Sequence, residues 1–153
     1  MTNETELIGL HNRSIVYFGI SSKLLNKTMK ADLYNKLGAK DGVNRIAHHF
    51  YVNFLQDELL KPFFENIDID QQERKMNAFL TYAFGGNSLY TGKTLRRAHS
   101  GLVVKQGLSS IHFEAMIACM EKTLRQQKIA DDLIQQVIAI LEYQRNNILG
   151  TTP

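Results

Sequence analysis

The sequence predicts an all-α protein with one domain, and three observations support this class. Apolar residues recur at helical spacing from about residue 31 onward, and no stretch alternates between apolar and polar residues as a strand would. The 153 residues include only 2 prolines, which leaves room for long helices. With 44% hydrophobic and 22% charged residues, the chain is expected to fold around one buried core.

Helix-capping and helix-breaking residues divide the first half of the helical region into separate helices. Asp32 is placed to cap a short helix that stops at Gly38, and Asp41 to cap the next helix. The apolar stripe of that second helix comprises Val43, Ile46, Ala47, Phe50, Phe54 and Leu55. Pro62 lies near the middle of residues 58–64, which predicts a tight turn or a 3₁₀ segment there.

The third helix is predicted to carry one face of a pocket. Asp68 or Asp70 caps it, and Gly85-Gly86 ends it. After a loop, a short helix is expected over residues 94–104, broken by Gly107.

Two further helices complete the predicted fold. Ser109 or Ser110 is expected to cap a long helix, with Glu114 placed for a capping box. Asp131 or Asp132 is expected to cap the last helix.

Residues 1–30 have no dominant period, so we interpret them as a partly helical N-terminal extension on a domain that spans residues 31–150. The chain starts with acidic residues where a secretory signal would be basic, and it has no run of about 18 apolar residues. We therefore expect a cytoplasmic protein without membrane insertion.

Charge and cysteine content exclude several classes. The net charge is +3, and the lysines and arginines are scattered, so no nucleic-acid surface is predicted. The single cysteine, Cys119, excludes an intrachain disulfide and a four-thiolate metal site. No phosphate loop, GxSxG elbow or HExxH pair is present.

Two polar side chains on apolar stripes carry groups that can bind a metal or donate a hydrogen bond to a ligand. His99 shares a helical face with Leu95 and Leu102, where it is either a satisfied boundary residue or an axial ligand of haem iron. Tyr51 carries a hydroxyl on an apolar stripe, so it either donates to a backbone carbonyl or to a ligand bound nearby. His48 and His49 are adjacent and cannot jointly chelate one metal.

Several segments, in order and at matching spacing, resemble the truncated haemoglobins of group I. They are Phe50-Tyr51-Val52-Asn53-Phe54-Leu55, Phe63-Phe64, residues 78–86 with Tyr90-Thr91-Gly92, Leu95-Arg96-Arg97-Ala98-His99, Gly107-Leu108 and His112-Phe113-Glu114-Ala115. The resemblance implies a two-over-two helical globin around a b-type haem.

The same resemblance implies roles for individual residues. His99 corresponds to the proximal iron ligand, while Tyr51 and Gln72 correspond to the distal residues beside the bound ligand. The residues that correspond to the cofactor-binding set are Phe64, Lys75, Met76, Phe79, Leu80, Leu95, Arg96, Phe113 and Met116. Within this set, Lys75 lies at the pocket edge, and Arg96 or Lys93 is expected to hold a haem propionate. His112 also matches the family but is expected to serve as a cap or surface contact.

The chain departs from the family pattern at three places. Gly38-Ala39 replaces a second Gly-Gly, which we expect to alter the first turn only slightly. Met76 stands where many members have glutamine and cannot donate a hydrogen bond. Residues 142–147 contain no histidine to attach to a haem vinyl, so we expect non-covalent haem.

The resemblance implies reversible binding of O₂, NO or CO, with NO dioxygenation to nitrate as a reaction that needs an external electron donor. We expect a monomer or a weak homo-oligomer. Two alternatives remain open. One is a six-coordinate haem sensor or electron-transfer protein, in which Lys75 either reaches the iron or stays a solvated or propionate-binding lysine. The other is a haem-free helical interaction domain.

Overall fold

The computed structural model describes residues 32–87, residue 90 and residues 95–151. The predicted N-terminal extension, residues 1–30, and the predicted propionate ligand Lys93 lie outside the described residues. The described part is helical and contains no strand, as the sequence predicts. No helix in this part is long and apolar enough to cross a membrane.

Six labelled helices follow a short helical stretch over residues 32–36. They are α1 (Ala39–Phe54), α2 (Ile69–Ala83), α3 (Leu95–Gln106), α4 (Ser110–Gln126), α5 (Asp131–Glu142) and α6 (Arg145–Leu149), with a 3₁₀ helix at Lys61–Phe64 between α1 and α2. The 3₁₀ helix confirms the interpretation of the segment around Pro62.

Two helix pairs form the body of the described fold. Helix α1 packs against α2 and α4, and α4 packs against α5. The stripe predicted for α1 is buried: Val43, Ile46 and Ala47 have no exposed surface, and Phe50 is 1% exposed. Asn53 is a buried polar residue of α1, and its amide donates to Thr123 and Gln126 of α4, which satisfies the amide inside the core.

The turn into α1 depends on close backbone packing. A Cβ atom at Gly42 would collide with the carbonyl oxygen of Leu37, so only glycine fits there. Gly38 has φ 93° and Ala39 has φ 52°. Ala39 therefore adopts a left-handed conformation that disfavours residues with a Cβ, so the departure at Gly38-Ala39 introduces local strain.

Two predicted helix starts and one predicted capping-box residue are wrong, while Ser109 is the N-cap residue of α4 as predicted. Asp41 lies in the first turn of α1, which begins after Gly38, and Asp131 lies in the first turn of α5 after Ala130. In α4 the backbone N–H of Ser109 donates to His112 Nδ1 at 3.1 Å, so His112 takes the capping-box position predicted for Glu114. Asp68 caps α2 as predicted, because its carboxylate accepts from the Gln71 N–H at 3.0 Å.

The C-terminal helix holds the histidine-bearing helix in place. Helix α6 packs against α3, and the Arg96 guanidinium donates to the Thr151 carbonyl at 3.0 Å. At the start of α6, Arg145 pairs with Glu114 at 2.7 Å, and its guanidinium lies 4.3 Å from the centre of the Phe113 ring. These contacts tie the last helix to both α3 and α4.

Candidate functional site

His99 has the geometry of a preorganised metal ligand. Its Nδ1 lies 2.7 Å from the Leu95 carbonyl oxygen, one helical turn earlier. A carbonyl only accepts, so Nδ1 carries the proton and Nε2 keeps its lone pair free. Burial lowers the pKa of His99, partly opposed by the hydrogen bond to Leu95, and this favours the neutral imidazole that a metal requires.

Helix α3 fits a planar apolar group as its partner. None of its 12 residues is buried, although Leu95, His99, Leu102 and Val103 form an apolar stripe on one face. An apolar stripe that the protein leaves half-covered is suited to burial by another molecule. Haem fits this face, because it supplies a broad apolar surface and an iron for the free imidazole nitrogen.

The Tyr51 hydroxyl lies near the backbone of Gln72. Tyr51 is 5% exposed, and its hydroxyl oxygen lies 3.5 Å from the Gln72 backbone carbonyl oxygen. That distance is at the long limit for an O–H···O hydrogen bond, so the hydroxyl is only weakly engaged by the protein. Burial raises the pKa of Tyr51, and Glu73 raises it further, so the phenol stays protonated and able to donate.

An aromatic cluster supports the Tyr51 ring. Phe64, on the 3₁₀ helix, lies edge-on to Tyr51 with ring centres 5.6 Å apart, and Phe54 lies 4.8 Å from Phe64. Phe50 also contacts Tyr51, at 5.4 Å. Edge-to-face contacts of this kind fix ring orientation, so the hydroxyl is held in one place.

The other predicted site residues divide into three groups by environment. Half-buried apolar side chains available to a ligand are Phe64, Met76, Phe79, Leu95 and Met116. Leu80 and Phe113 are 0% and 2% exposed and belong to the protein core. Lys75 and Arg96 are exposed, and Arg96 already donates to Thr151. Contact of each with haem stays a prediction.

A cavity of about 380 Å³ reaches Tyr51 between α1 and α2. On α2 it is lined by Ile69, Asp70, Glu73, Arg74 and Asn77. Because Tyr51 lines this cavity, the cavity adjoins the predicted ligand site.

Sequence reasoning did not identify the polar lining of this cavity. The Asn77 Oδ1 atom is buried and has no hydrogen-bond partner within the described part of the chain. Glu73 is bound by His48 Nδ1 at 3.2 Å. The signal available in the sequence was the i, i+4, i+8 spacing of Ile69, Glu73 and Asn77, which puts all three on one face of α2.

Comparison with known proteins places this arrangement in a family. The family described as bacterial-like globin matches residues 32–149. The group 1 truncated hemoglobin GlbN of Synechocystis is 41% identical over 108 residues, which cover 71% of this chain and 87% of that protein. The group 1 truncated hemoglobin of Tetrahymena pyriformis is 34% identical over 118 residues, 77% of this chain and 94% of that protein.

Solved structures agree with these sequence matches. The cyanomet 2/2 hemoglobin of a Synechococcus species, described with covalently attached heme, aligns with a TM-score of 0.74 at 37% identity and covers 77% of this chain and 98% of its own. The Fe(III) form of the Tetrahymena pyriformis protein aligns with a TM-score of 0.70 at 32% identity, over 76% of this chain and 97% of its own.

The fold and the family matches define an all-helical haem protein. More specifically, the chain belongs to the bacterial-like globin family, among its group 1 truncated haemoglobins. It adopts the two-over-two globin fold and binds haem non-covalently, as the sequence predicts. The alternative of a haem-free helical interaction domain is therefore wrong.

Proposed function

We propose that this protein binds O₂ reversibly at a b-type haem whose iron is ligated by His99, with NO and CO as further ligands. The observation that carries the proposal is the His99–Leu95 hydrogen bond of 2.7 Å, which leaves Nε2 free on a half-covered apolar helix. Haem supplies the iron to which the diatomic ligand binds.

The distal residues serve to retain a polar ligand. The Tyr51 hydroxyl, with its long contact to Gln72, has a proton to donate to bound O₂, whose outer oxygen carries partial negative charge. The Gln72 side-chain amide is a second donor. Met76 and Phe64 keep the pocket apolar, which strengthens any hydrogen bond formed inside it.

Dioxygenation of NO is the reaction we assign to this site. O₂ and NO give nitrate and leave the iron oxidised by one electron, so an external electron donor is needed for turnover. Tyr51 holds O₂ by its hydrogen bond while the apolar walls admit the uncharged NO. A cytoplasmic location and a monomeric or weakly associated state stay predictions.

Absorption spectroscopy and NO consumption test the proposal. The haem-loaded ferrous protein should show distinct spectra under O₂, CO and NO, and its O₂ form should convert NO to nitrate with one equivalent of ferric haem produced. Immediate oxidation of the haem iron without an O₂-bound form would contradict reversible O₂ binding. Binding of NO without formation of nitrate would contradict dioxygenation.

A six-coordinate sensor or electron-transfer protein has one supporting observation. Lys75 precedes Met76 on α2 and is exposed at the edge of the predicted pocket, with four methylenes of reach. A low-spin six-coordinate spectrum without added ligand would indicate this alternative. If that spectrum survives Lys75→Ala, Lys75 is excluded as the second ligand, whereas its conversion to a five-coordinate spectrum assigns Lys75.

A further inference from the structure

Two tyrosines outside the proposed ligand site extend one wall of the pocket to the protein surface. Phe79 shares a face of α2 with Gln72 and Met76. The Phe79 and Tyr90 rings lie edge-on with centres 5.7 Å apart, and the Tyr90 and Tyr82 rings are 5.6 Å apart. The three rings form a continuous aromatic chain, and its outer end, Tyr82, is 59% exposed.

The two tyrosines of this aromatic chain are side chains that an oxidant in the pocket can oxidise. The sequence has no tryptophan, so tyrosine is its most readily oxidised aromatic side chain. A tyrosine that loses an electron must also release its phenolic proton. Water can accept that proton at exposed Tyr82, whereas burial raises the pKa of Tyr90 and makes proton release there less favourable.

We propose that Phe79, Tyr90 and Tyr82 form an outlet for oxidising equivalents when the haem-loaded protein meets a hydroperoxide, and that Tyr82 is the site of the resulting radical. The inference rests on the haem site of the proposed function. Each Tyr82 gives up one electron and one proton, and Tyr90 relays the electron toward the pocket.

Hydrogen peroxide is the oxidant in this reaction. One molecule of hydrogen peroxide accepts two electrons and two protons and becomes two molecules of water. The copy whose haem reduces the peroxide supplies one electron and one proton from its own Tyr82. A second copy supplies the other electron and proton from its Tyr82, and that electron passes through the exposed Tyr82 of the first copy. The two phenoxyl radicals then join through a carbon–carbon bond between their rings, and the haem ends in its starting oxidation state. The stable product is a covalent dimer linked by dityrosine.

Two other tyrosines provide competing outcomes. Tyr143 is 83% exposed, more than Tyr82, so a reaction governed by exposure alone would modify Tyr143. Tyr51 lies in the proposed ligand site but is 5% exposed, so a reaction governed only by nearness to the ligand would modify Tyr51. We expect Tyr82 to be modified in preference to both, because the aromatic chain connects it to the predicted pocket.

The experiment treats the ferric, haem-loaded full-length protein with an equimolar amount of hydrogen peroxide. Samples frozen at once are examined by electron paramagnetic resonance, and the remainder by denaturing electrophoresis and peptide mass spectrometry. Tyr82→Phe and Tyr90→Phe are compared with the wild type and with Tyr143→Phe as the matched exposed control.

We expect the wild type and Tyr143→Phe to give a tyrosyl radical and a dimer linked through Tyr82. Tyr82→Phe should form no dimer. Tyr90→Phe should keep its haem but form less of the dimer than the wild type. Three results would overturn the proposal that Tyr82 is the outlet. They are an unchanged dimer in Tyr82→Phe, loss of the dimer in Tyr143→Phe, and cross-linking of haem-free protein.

Haem uptake, measured first from the visible absorption of each sample, separates this inference from the proposed function. A wild-type protein that takes up no haem contradicts both. Normal haem uptake followed by modification at Tyr143 or Tyr51 contradicts the outlet alone.

Discussion

Replacing Tyr51 by phenylalanine removes one hydroxyl group from the proposed ligand site and leaves the aromatic packing in place. The Tyr51 hydroxyl oxygen is 3.5 Å from the Gln72 carbonyl, so the variant loses little hydrogen bonding within the protein. The ring stays packed against Phe64, Phe54 and Phe50. The main loss is therefore the hydrogen bond to the ligand.

That loss should affect O₂ far more than CO. A hydrogen bond to a charged or strongly polarised group contributes roughly 1.5–3 kcal/mol, and each factor of ten corresponds to about 1.4 kcal/mol. The O₂ dissociation rate of Tyr51→Phe should rise at least about tenfold. Bound CO is less polar, so its dissociation rate should change much less.

Stopped-flow replacement of O₂ by CO, and of CO by NO, gives the two rates. Gln72→Leu removes the second donor, and a double-mutant cycle with Tyr51→Phe measures the coupling between the two side chains. Tyr143→Phe is the control, because it deletes a hydroxyl from a surface tyrosine. Equal acceleration of O₂ and CO release in Tyr51→Phe would refute the reasoning and show that the hydroxyl only fills space.

Three further predictions concern other parts of the chain. Deletion of residues 1–30 should leave haem affinity unchanged in a haem titration, because every family motif lies after residue 31; loss of haem binding would refute this. Ala39→Gly should raise the free energy of unfolding by about 1 kcal/mol in urea denaturation, since it relieves the left-handed strain at φ 52°, and a lower stability would argue against that strain. Burial raises the pKa of Cys119 to about 11, so iodoacetamide at pH 8 should label it only after unfolding, as followed by mass spectrometry; equal labelling of the native protein would show that the thiol is accessible.

The apolar pattern predicted the helices well because burial dominates their energetics. The stripe from Val43 to Phe54 is buried as its spacing indicates. Helix starts were harder to predict, since a cap contributes only about 1 kcal/mol. The cap of α1 is Gly38, three residues before the predicted Asp41. Asp41 thus became a first-turn residue, and Glu114 formed an ion pair with Arg145 instead of a capping box.

The candidate site was predictable only where side chains carry distinctive chemistry. The sequence identified His99 as a histidine on an apolar stripe, but not its hydrogen bond to Leu95, which depends on side-chain rotation. The resemblance assigned Leu80 and Phe113 to the cofactor-binding set, and both are buried. Their contact with haem stays a prediction.

The central claim is that His99 holds the haem iron, and the ferrous–CO absorption spectrum with haem retention on gel filtration tests it most directly. His99→Ala should lose haem or show an altered spectrum, whereas His49→Ala, which removes an exposed histidine, should behave as the wild type. A His99→Ala variant with an unchanged ferrous–CO spectrum and unchanged haem retention would contradict the claim.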